Sequence, residues 1–267
     1  MKLNACRVEP GSKANLAERP TGDRLGVEKG RAQPELAALT DRLSVLHWRL
    51  HAERTRSVLL VLQGLDASGK DGTIRRVFTG LNPQGCDVES FNVPTTTEAA
   101  HDYLWRIHRA LPERGDIGIF NRSHYEDVTA AVVIGAIDDR QRKRRYEHIN
   151  AFEKMLSEEG TSVVKIFLHV GKDEQRARLQ ARLDDPEKHW KFERSDLATR
   201  AKWDEYTRLY DDALTATSTK WAPWYVVPAD HKWVSGVAAA SILVDTLDAL
   251  DPKIPEPKEN LDGIVIE

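Results

Sequence analysis

One short stretch constrains the fold of this 267-residue chain more than any other. An apolar run, Val58–Leu62, ends in Gln63, and the sequence Gly64-Leu-Asp-Ala-Ser-Gly-Lys70 follows directly. This is the G-x-x-x-x-G-K pattern of a phosphate-binding loop, which connects a buried strand to the first turn of a helix. Its glycines let backbone N–H groups crowd around an anion, and the helix end adds positive potential. The stretch predicts a strand, a phosphate loop and a helix, in that order.

The loop departs from the usual pattern at the position after its lysine. Serine or threonine normally stands there and holds Mg²⁺ with its hydroxyl, but this chain has Asp71. Either Thr73 or Asp66 takes over the metal, or the loop holds a different phosphate group. The structural alternative is a tight strand-to-helix turn that needs two glycines. The residues of this segment expected to bind phosphate are Gly64, Ala67, Ser68, Gly69, Lys70, Asp71, Gly72 and Thr73.

Composition argues against several classes of protein. The 42 acidic and 39 basic residues give a formal net charge of −3, so a generic basic surface for nucleic acid is not expected. Cys6 and Cys86 are the only cysteines, which argues against a disulfide framework or a zinc cluster and fits a reducing cytoplasm. The sequence shows neither the apolar segment of a signal peptide nor a run of about 20 apolar residues. We therefore expect a cytoplasmic protein without a membrane span.

Short apolar strands alternate with helical segments along most of the chain. Residues 1–33 are polar and rich in glycine and charge, and they are predicted to form an arm that lies on the surface or is disordered. The predicted strands are Ser57–Leu62, Cys86–Val93, Asp116–Phe120, Ser162–Val170 and Trp224–Val227. The predicted helices cover about 34–50, 70–80, 95–111, 126–136, 139–158, 172–183, a long segment through 203–210, and 234–250.

This alternation predicts an α/β fold with a parallel five-stranded sheet and helices on both faces. Residues 34–267 are predicted to form one domain, with about 173–195 as a helical lid. Right-handed crossovers bring the loops after the first, third and fourth predicted strands to one edge of the sheet. The phosphate loop, the Asn121–Asp127 stretch and the Arg178 region should therefore meet at that edge.

The side chains expected at this edge suit phosphoryl transfer, which requires positioning and neutralised charge more than covalent chemistry. Asp66 is placed to bind Mg²⁺, orient the attacking phosphate or accept a proton; its structural alternative is a hydrogen bond that caps the loop. Arg122 directly follows a strand and is placed to clamp the transferring group, unless it forms a structural ion pair. Glu126 and Asp127 lie near it and can hold a metal directly or through water.

Basic side chains form a second group. Arg178 and Arg182 are four residues apart and share one helix face. With Lys188 they form a positive, partly flexible segment of the kind that kinase lids close over phosphates. The alternative is an exposed helix with ordinary salt bridges. Arg75 adds charge along the helix after the loop, so positive residues line the expected crevice of an acidic protein, which indicates a long or highly charged anion.

Four motifs, taken in order, resemble the polyphosphate kinase 2 family: Gly64–Thr73, Asn121–Val128, Lys188–Phe192 and Trp224–Trp233. The resemblance covers nearly the whole chain from about Leu36. It implies a P-loop kinase-like three-layer sandwich and phosphoryl transfer from inorganic polyphosphate to nucleotides, with Mg²⁺ as cofactor and Mn²⁺ as an alternative ion. The implied partners are polyphosphate, AMP, ADP and ATP, with no nucleic acid and no membrane, and the implied assembly is a homo-oligomer.

The resemblance also implies roles for single residues. Asp66, Lys70 and Arg122 match catalytic positions of the family, and Arg178 matches a catalytic lid arginine. Arg75 falls where the family places basic residues along the polyphosphate path, and Arg182 and Lys188 are expected to contact the same chain of phosphates.

One position departs from the family pattern. Many members carry aspartate before the arginine as a metal-binding carboxylate, but this chain has Asn121, which cannot supply a negative charge. Glu126 is therefore expected to share the metal with Asp66. The form Asn-Arg-Ser-His-Tyr-Glu resembles the branch that accepts nucleoside monophosphates as well as diphosphates, so Asn121, Arg122 and Glu126 are expected to contact the nucleotide. Trp105 is expected either to stack on a base or to pack at a subunit interface.

Two other functions fit parts of the same pattern. A conventional ATP-dependent nucleotide kinase would use the same loop and arginines, although Asp71 in place of serine or threonine argues against it. A non-enzymatic module for an anionic polymer such as RNA would use a relic phosphate loop. The acidic net charge and the lack of aromatic residues among the basic runs count against that module.

Overall fold

The computed structural model describes residues 1–266, and its centre is a six-stranded sheet with the strand order β1-β6-β5-β2-β4-β3. Strands β2 to β6 run parallel, and β1 pairs antiparallel with β6. The α/β fold class predicted from the sequence is confirmed, but the described sheet has one strand more than predicted. The strands are β1 Arg7–Val8, β2 Ser57–Gln63, β3 Cys86–Ser90, β4 Ile117–Asn121, β5 Thr161–His169 and β6 Trp224–Pro228.

Helices cover both faces of the sheet. The α-helices within residues 1–266 are α1 Ala32–Glu53, α2 Lys70–Phe78, α3 Thr96–Ala99, α4 Trp105–Arg109, α5 Ala130–Val133, α6 Asp139–Glu158, α7 Lys172–Leu183, α8 Arg194–Ala201, α9 Trp203–Thr217 and α10 Lys232–Leu250. Short 3₁₀ helices lie at Leu3–Ala5, Leu16–Glu18, Pro83–Gly85, His124–Val128 and Pro186–Lys191.

Strand β2 explains why the sheet needs helices on both sides. All seven of its residues are buried, and successive side chains point to opposite faces. Leu60 and Leu62 join the core under α1 and α10, whereas Leu59 and Val61 join the core under α6 and α9. Burying each such side chain contributes about 1.5–3 kcal/mol to folding, so the continuous apolar run fixes a three-layer arrangement.

The N-terminal arm is an ordered part of the fold. Val8 of β1 pairs with Trp224, and Cys6, Val8 and Leu16 are each about 1 % exposed. The prediction that residues 1–33 lie on the surface or are disordered is therefore wrong for this segment. Its apolar residues are too sparse to show a helical or strand period, and they pack against distant parts of the chain, including β6 and α10.

Two predicted helices are shorter than expected. The segment 95–111 forms α3 and α4 with a turn between them, where the carboxylate of Asp102 accepts the backbone N–H of Leu104. Such a local bond competes with helix continuation. The segment 126–136 divides in the same way into a 3₁₀ helix, His124–Val128, and α5.

A buried group of charged and polar side chains joins the sheet to the helices of one face. The Lys165 ammonium on β5 donates to Glu153 Oε2 at 2.5 Å, to the Tyr125 hydroxyl at 2.9 Å and to the Thr217 carbonyl at 2.7 Å. Lys165 and Glu153 are at most 1 % exposed. The three donors of the ammonium thus all find acceptors, which is the condition for burying a charge.

Helix α10 is long and apolar enough to cross a bilayer by length and composition alone. Twelve of its residues are buried within the fold, where the helix packs against α1, α2 and strands β5 and β6. Its apolar character is therefore accounted for by its place in the core.

Candidate active site

The phosphate loop lies where the sequence predicts it, between the end of β2 and the start of α2. Gly64 has a φ of +152°, and a Cβ there would stand 2.6 Å from Ser68 Oγ and 2.8 Å from the carbonyl oxygen of Leu168. Gly69 precedes α2 with a φ of +108°. Both glycines therefore adopt a positive φ that residues with a Cβ disfavour.

Lys70 opens α2 and folds back under the loop. Its ammonium donates to the carbonyl of Gly64 at 2.7 Å and lies 3.4 Å from that of Leu65. Burial, together with the positive charge of Arg122, lowers the pKa of Lys70 to about 8. The ammonium is thus held inside the loop as a desolvated point charge, where it attracts an anion strongly.

Arg122 connects two carboxylates across the edge of the sheet. Its Nη2 donates to Asp66 Oδ1 at 2.6 Å, and its Nη1 lies 3.7 Å from Glu126 Oε2. Burial alone would lower the pKa of Arg122, but Glu126 and Asp66 raise it overall. Arg122 directly follows β4 with a left-handed φ of +64°, the kind of backbone strain that is common at functional sites. The expected meeting of the phosphate loop with the Asn121–Asp127 stretch is confirmed.

Asn121 bonds to the residue that replaces the usual serine or threonine of the loop. Its side-chain Nδ2 donates to Asp71 Oδ1 at 2.9 Å. Burial would raise the pKa of Asp71, but the Asn121 amide and the nearby Lys191 lower it. Asn121 therefore acts as a hydrogen-bond donor that ties the end of β4 to the first turn of α2.

Glu126 contacts two residues, Tyr210 and Gln63, that were not predicted to belong to the site. The Tyr210 hydroxyl of α9 lies 3.4 Å from Glu126 Oε1. With the Gln63 amide oriented to pair all its atoms, Gln63 donates to the same oxygen at 3.0 Å and accepts from the backbone N–H of Ser123 at 3.0 Å. Gln63 is a polar residue at the end of an apolar strand, and that position alone indicates a place at the site edge of the sheet.

Arg178 lies on α7, behind the phosphate loop. Its guanidinium is 8 % exposed and donates to the backbone carbonyls of Ala67 and Ser68, and also to those of Ala229 and Asp230. The Arg178 region thus meets the phosphate loop, as expected, but its N–H groups point to protein acceptors. The lid role that the resemblance implies for Arg178 stays a prediction.

Residues 184–195, which we name the lid segment, include Lys188, one of the basic residues expected to contact phosphate. The Lys191 ammonium stands 3.8 Å from Asp71 Oδ2, so this segment reaches over the first turn of α2. Arg182, at the end of α7, donates to Asp196 at 3.2 Å and contributes to the lowered pKa of Asp71. Lys188 pairs with Asp185 at 2.5 Å. Arg75 on α2 is exposed.

Trp105 on α4 is already covered by neighbouring side chains. The His101 ring stacks on it with centroids 4.0 Å apart, and the Arg109 guanidinium lies 4.7 Å from the ring centroid. A nucleotide base would have to displace one of these neighbours to stack there. The nucleotide role of Trp105 stays a prediction.

The carboxylates fit the protein's share of a magnesium site. Within residues 1–266 no cluster of three or more His, Cys, Asp or Glu side chains is arranged to hold a metal ion. Magnesium in phosphoryl-transfer sites is normally held by one or two carboxylates together with substrate phosphates and water. Asp66 and Glu126, which flank the same guanidinium, match that requirement.

Comparisons with known proteins show which proteins this chain resembles. The family model described as Polyphosphate kinase 2 matches residues 26–255. An AMP/ADP-polyphosphate phosphotransferase of Meiothermus ruber is 48 % identical over 98 % of both chains. An ADP-polyphosphate phosphotransferase of Rhodopseudomonas palustris is 42 % identical over 96 % of this chain and 93 % of its own. The crystal structure of Polyphosphate Kinase 2 from Arthrobacter aurescens TC1 superposes with a TM-score of 0.93 at 42 % identity, covering 96 % of this chain and 92 % of that one.

Proposed function

This chain belongs to the polyphosphate kinase 2 family, and from that membership we propose that it moves the terminal phosphate of inorganic polyphosphate to nucleotides. ADP becomes ATP, AMP becomes ADP, and the reaction is reversible. The observation that carries the proposal is the contact of Arg122 with Asp66 of the phosphate loop, 2.6 Å apart, with Glu126 on the other side of the same guanidinium. The AMP/ADP-polyphosphate phosphotransferase of Meiothermus ruber supports the wider acceptor range.

The residues divide the work of an in-line transfer. The loop amides and Lys70 hold the donor phosphates, and the terminal phosphate oxygen of the acceptor attacks the end phosphorus of polyphosphate near Asp66. The bond from that phosphorus to the bridging oxygen breaks, and the shortened polyphosphate leaves. Arg122 stabilises the charge that spreads over the transferring group. Asp66 orients the attacking oxygen, so its carboxylate is essential.

Magnesium is part of the proposal, with manganese as an alternative ion. Asp66 and Glu126 would hold the ion. When bound, it would neutralise negative charge between donor and acceptor phosphates. Asn121 supplies no charge, and its amide instead keeps Asp71 in place at the loop.

We place this activity in the cytoplasm, in a homo-oligomer that binds neither membrane nor nucleic acid. The support for the compartment is that Cys6 and Cys86 are free thiols in the structure. The oligomeric state rests on the family resemblance and is checked by light scattering of the purified protein.

The first experiment mixes the purified protein with Mg²⁺, polyphosphate and either AMP or ADP, without ATP, and follows nucleotide products. ATP from both acceptors supports the proposal, and ATP from ADP alone removes the wider acceptor range. Turnover with ATP as the only effective phosphate donor would assign a conventional nucleotide kinase instead. Salt-sensitive binding of RNA without turnover would assign a binding module.

An Asp66→Asn variant is the matched control for the chemistry. The two side chains have nearly the same shape, so the fold should remain intact while turnover is lost. Near-normal activity of this variant would contradict the role given to Asp66.

A further inference from the structure

Three successive carbonyl groups of the phosphate loop receive hydrogen bonds from one helix, α7. The Gln175 side-chain Nε2 donates to the carbonyl of Asp66 at 3.0 Å. One turn later, Arg178 Nη1 donates to the carbonyls of Ala67 at 3.0 Å and Ser68 at 2.8 Å. A loop that directs its N–H groups at an anion must direct its carbonyls elsewhere. Here side chains of α7 donate hydrogen bonds to those carbonyls.

The loop conformation needs such support. Ala67 has a φ of +60°, a left-handed conformation that a residue with a Cβ adopts only when its surroundings hold it there. Its carbonyl is one of the three that α7 binds. Ala67 is the only non-glycine residue of the loop with a positive φ among the described residues. The bonds from α7 therefore stabilise this strained residue.

The supporting helix is itself anchored. Arg178 Nη2 donates to the carbonyls of Ala229 and Asp230, at 2.5 and 3.0 Å, and its Nε donates to Glu174 at 2.7 Å. The Asp230 carboxylate in turn accepts the backbone N–H of Gly171, at the start of α7, at 2.7 Å.

Other elements complete this anchor. Thr21 of the N-terminal arm donates to the second oxygen of Asp230 at 2.6 Å. Arg200 of α8 donates to Gln175 Oε1 at 3.0 Å. Gln175 is fully buried, so both ends of its amide are fixed.

We infer that Gln175 and Arg178 are positioning residues that hold the phosphate loop in its anion-binding shape. All five N–H bonds of the guanidinium point to acceptors within the protein. Moving it to a substrate phosphate would strip four backbone carbonyls of a partner, which is costly for buried groups. Helix α7 is thus a fixed wall of the site. The inference rests on the proposed function only in that the loop binds phosphate.

The test measures amide hydrogen exchange of the loop in substrate-free protein. We expect the Arg178→Gln variant to exchange the amides of residues 64–70 at least about tenfold faster than wild type, since charged hydrogen bonds that hold the loop closed are lost. Arg176→Gln, on the exposed side of the same helix, is the control and should leave these amides unchanged. A guanidinium that acts only on bound phosphate would leave loop exchange unchanged without substrate, and that result would overturn the inference.

A second variant keeps the test decisive if Arg178→Gln does not fold. Gln175→Met preserves volume and removes one bond to the loop, and its exchange should rise around Asp66. Unchanged exchange in this variant would also overturn the inference.

Activity gives an independent measure: misplaced loop amides should raise the KM for polyphosphate by about 10- to 100-fold. Faster exchange in a protein that shows no polyphosphate-dependent turnover would keep the positioning role and reject the proposed function.

Discussion

At the scale of single residues, the contact between Asn121 and Asp71 explains why a neutral side chain stands at the end of β4. The Asn121 amide donates to a carboxylate 2.9 Å away. An aspartate there would face another carboxylate at hydrogen-bond distance, and the like charges would raise the pKa of one of the pair. The departure from the family pattern at Asn121 thus occurs beside Asp71, where a phosphate loop usually has serine or threonine.

This pairing predicts the effect of Asn121→Asp. We expect the free energy of unfolding to fall by about 1–3 kcal/mol at pH 8, since a donor is replaced by a like charge. The new pair has a raised folded-state pKa, so the loss should be smaller at pH 5, where one carboxyl retains its proton. Urea unfolding at both pH values measures the effect, with Asn121→Ser as an uncharged control. A loss that does not depend on pH would contradict the pairing.

The lowered pKa of Lys70 gives a second prediction. In the free protein the ammonium loses its proton as the pH rises through about 8, and bound phosphate favours the charged form. Polyphosphate affinity should therefore decrease above pH 8, and binding at pH 8.5 should take up protons. Calorimetry in buffers with different ionisation enthalpies measures this uptake. Lys70→Met should abolish it, and an uptake that survives in that variant would assign it to another group.

The sequence was sufficient for those site residues whose chemistry follows from local order. The glycines, Lys70 and Asp66 belong to one continuous motif, and Arg122 follows the end of a strand. Gln175 and Tyr210 could not be assigned, because each acts through an atom that is distant in the chain. Arg178 was identified as a site residue, but its four backbone acceptors could not be predicted, since spacing on a helix does not tell which groups surround a side chain.

At the scale of elements, the N-terminal arm behaves as part of the core. Leu16 is about 1 % exposed, and its backbone N–H donates to Asp211 of α9. The arm also reaches the site, because Thr21 bonds to Asp230. An arm that binds both α9 and the support of the phosphate loop should contribute to stability as a core element does.

Leu16→Ala is therefore expected to lower the free energy of unfolding by about 2–5 kcal/mol, the usual cost of truncating a buried leucine. Urea denaturation followed by tryptophan fluorescence measures this change. Leu197→Ala, at an exposed position on α8, is the matched control and should change stability by less than about 0.5 kcal/mol. Equal effects of the two substitutions would mean that the arm does not pack as described.

Most elements could be predicted because their apolar periods are strong. The buried runs of β2 and β5 and the long helices α6 and α10 agree with expectation to within a few residues. The prediction of one helix over 95–111 failed because a turn separates α3 from α4. In that turn the Leu104 N–H donates to the Asp102 carboxylate, and such a bond leaves no periodic signal. Strand β1 was missed because a two-residue strand has no period at all.

At the scale of the whole molecule, the buried Lys165–Glu153 pair holds together elements from distant parts of the chain. The pair and its hydrogen-bond partners lie on β5, on α6, in the segment after β4 and at the end of α9. The sequence showed a lysine within an apolar strand but not its partners. Burial lowers the pKa of Lys165, and the adjacent Glu153 opposes that change.

We expect Lys165→Met to cost about 3–5 kcal/mol of unfolding free energy, because Glu153 is left as a buried charge without its cation. Adding Glu153→Gln should recover part of the loss, since the uncompensated charge is then removed. A double-mutant cycle by urea denaturation measures the coupling. Additive effects of the two substitutions would show that the pair is not coupled.

The pairing of β1 with β6 has a consequence for a chain that is still being synthesised. Val8 leaves the ribosome early, but its partner Trp224 is added more than 200 residues later. At about 5–20 residues per second, the first strand waits on the order of 10–40 s for its place in the sheet. Until then Val8 and Leu16 lack the later segments that they contact in the folded protein. Strand β1 is therefore translated long before its partner strand but can join the sheet only after it.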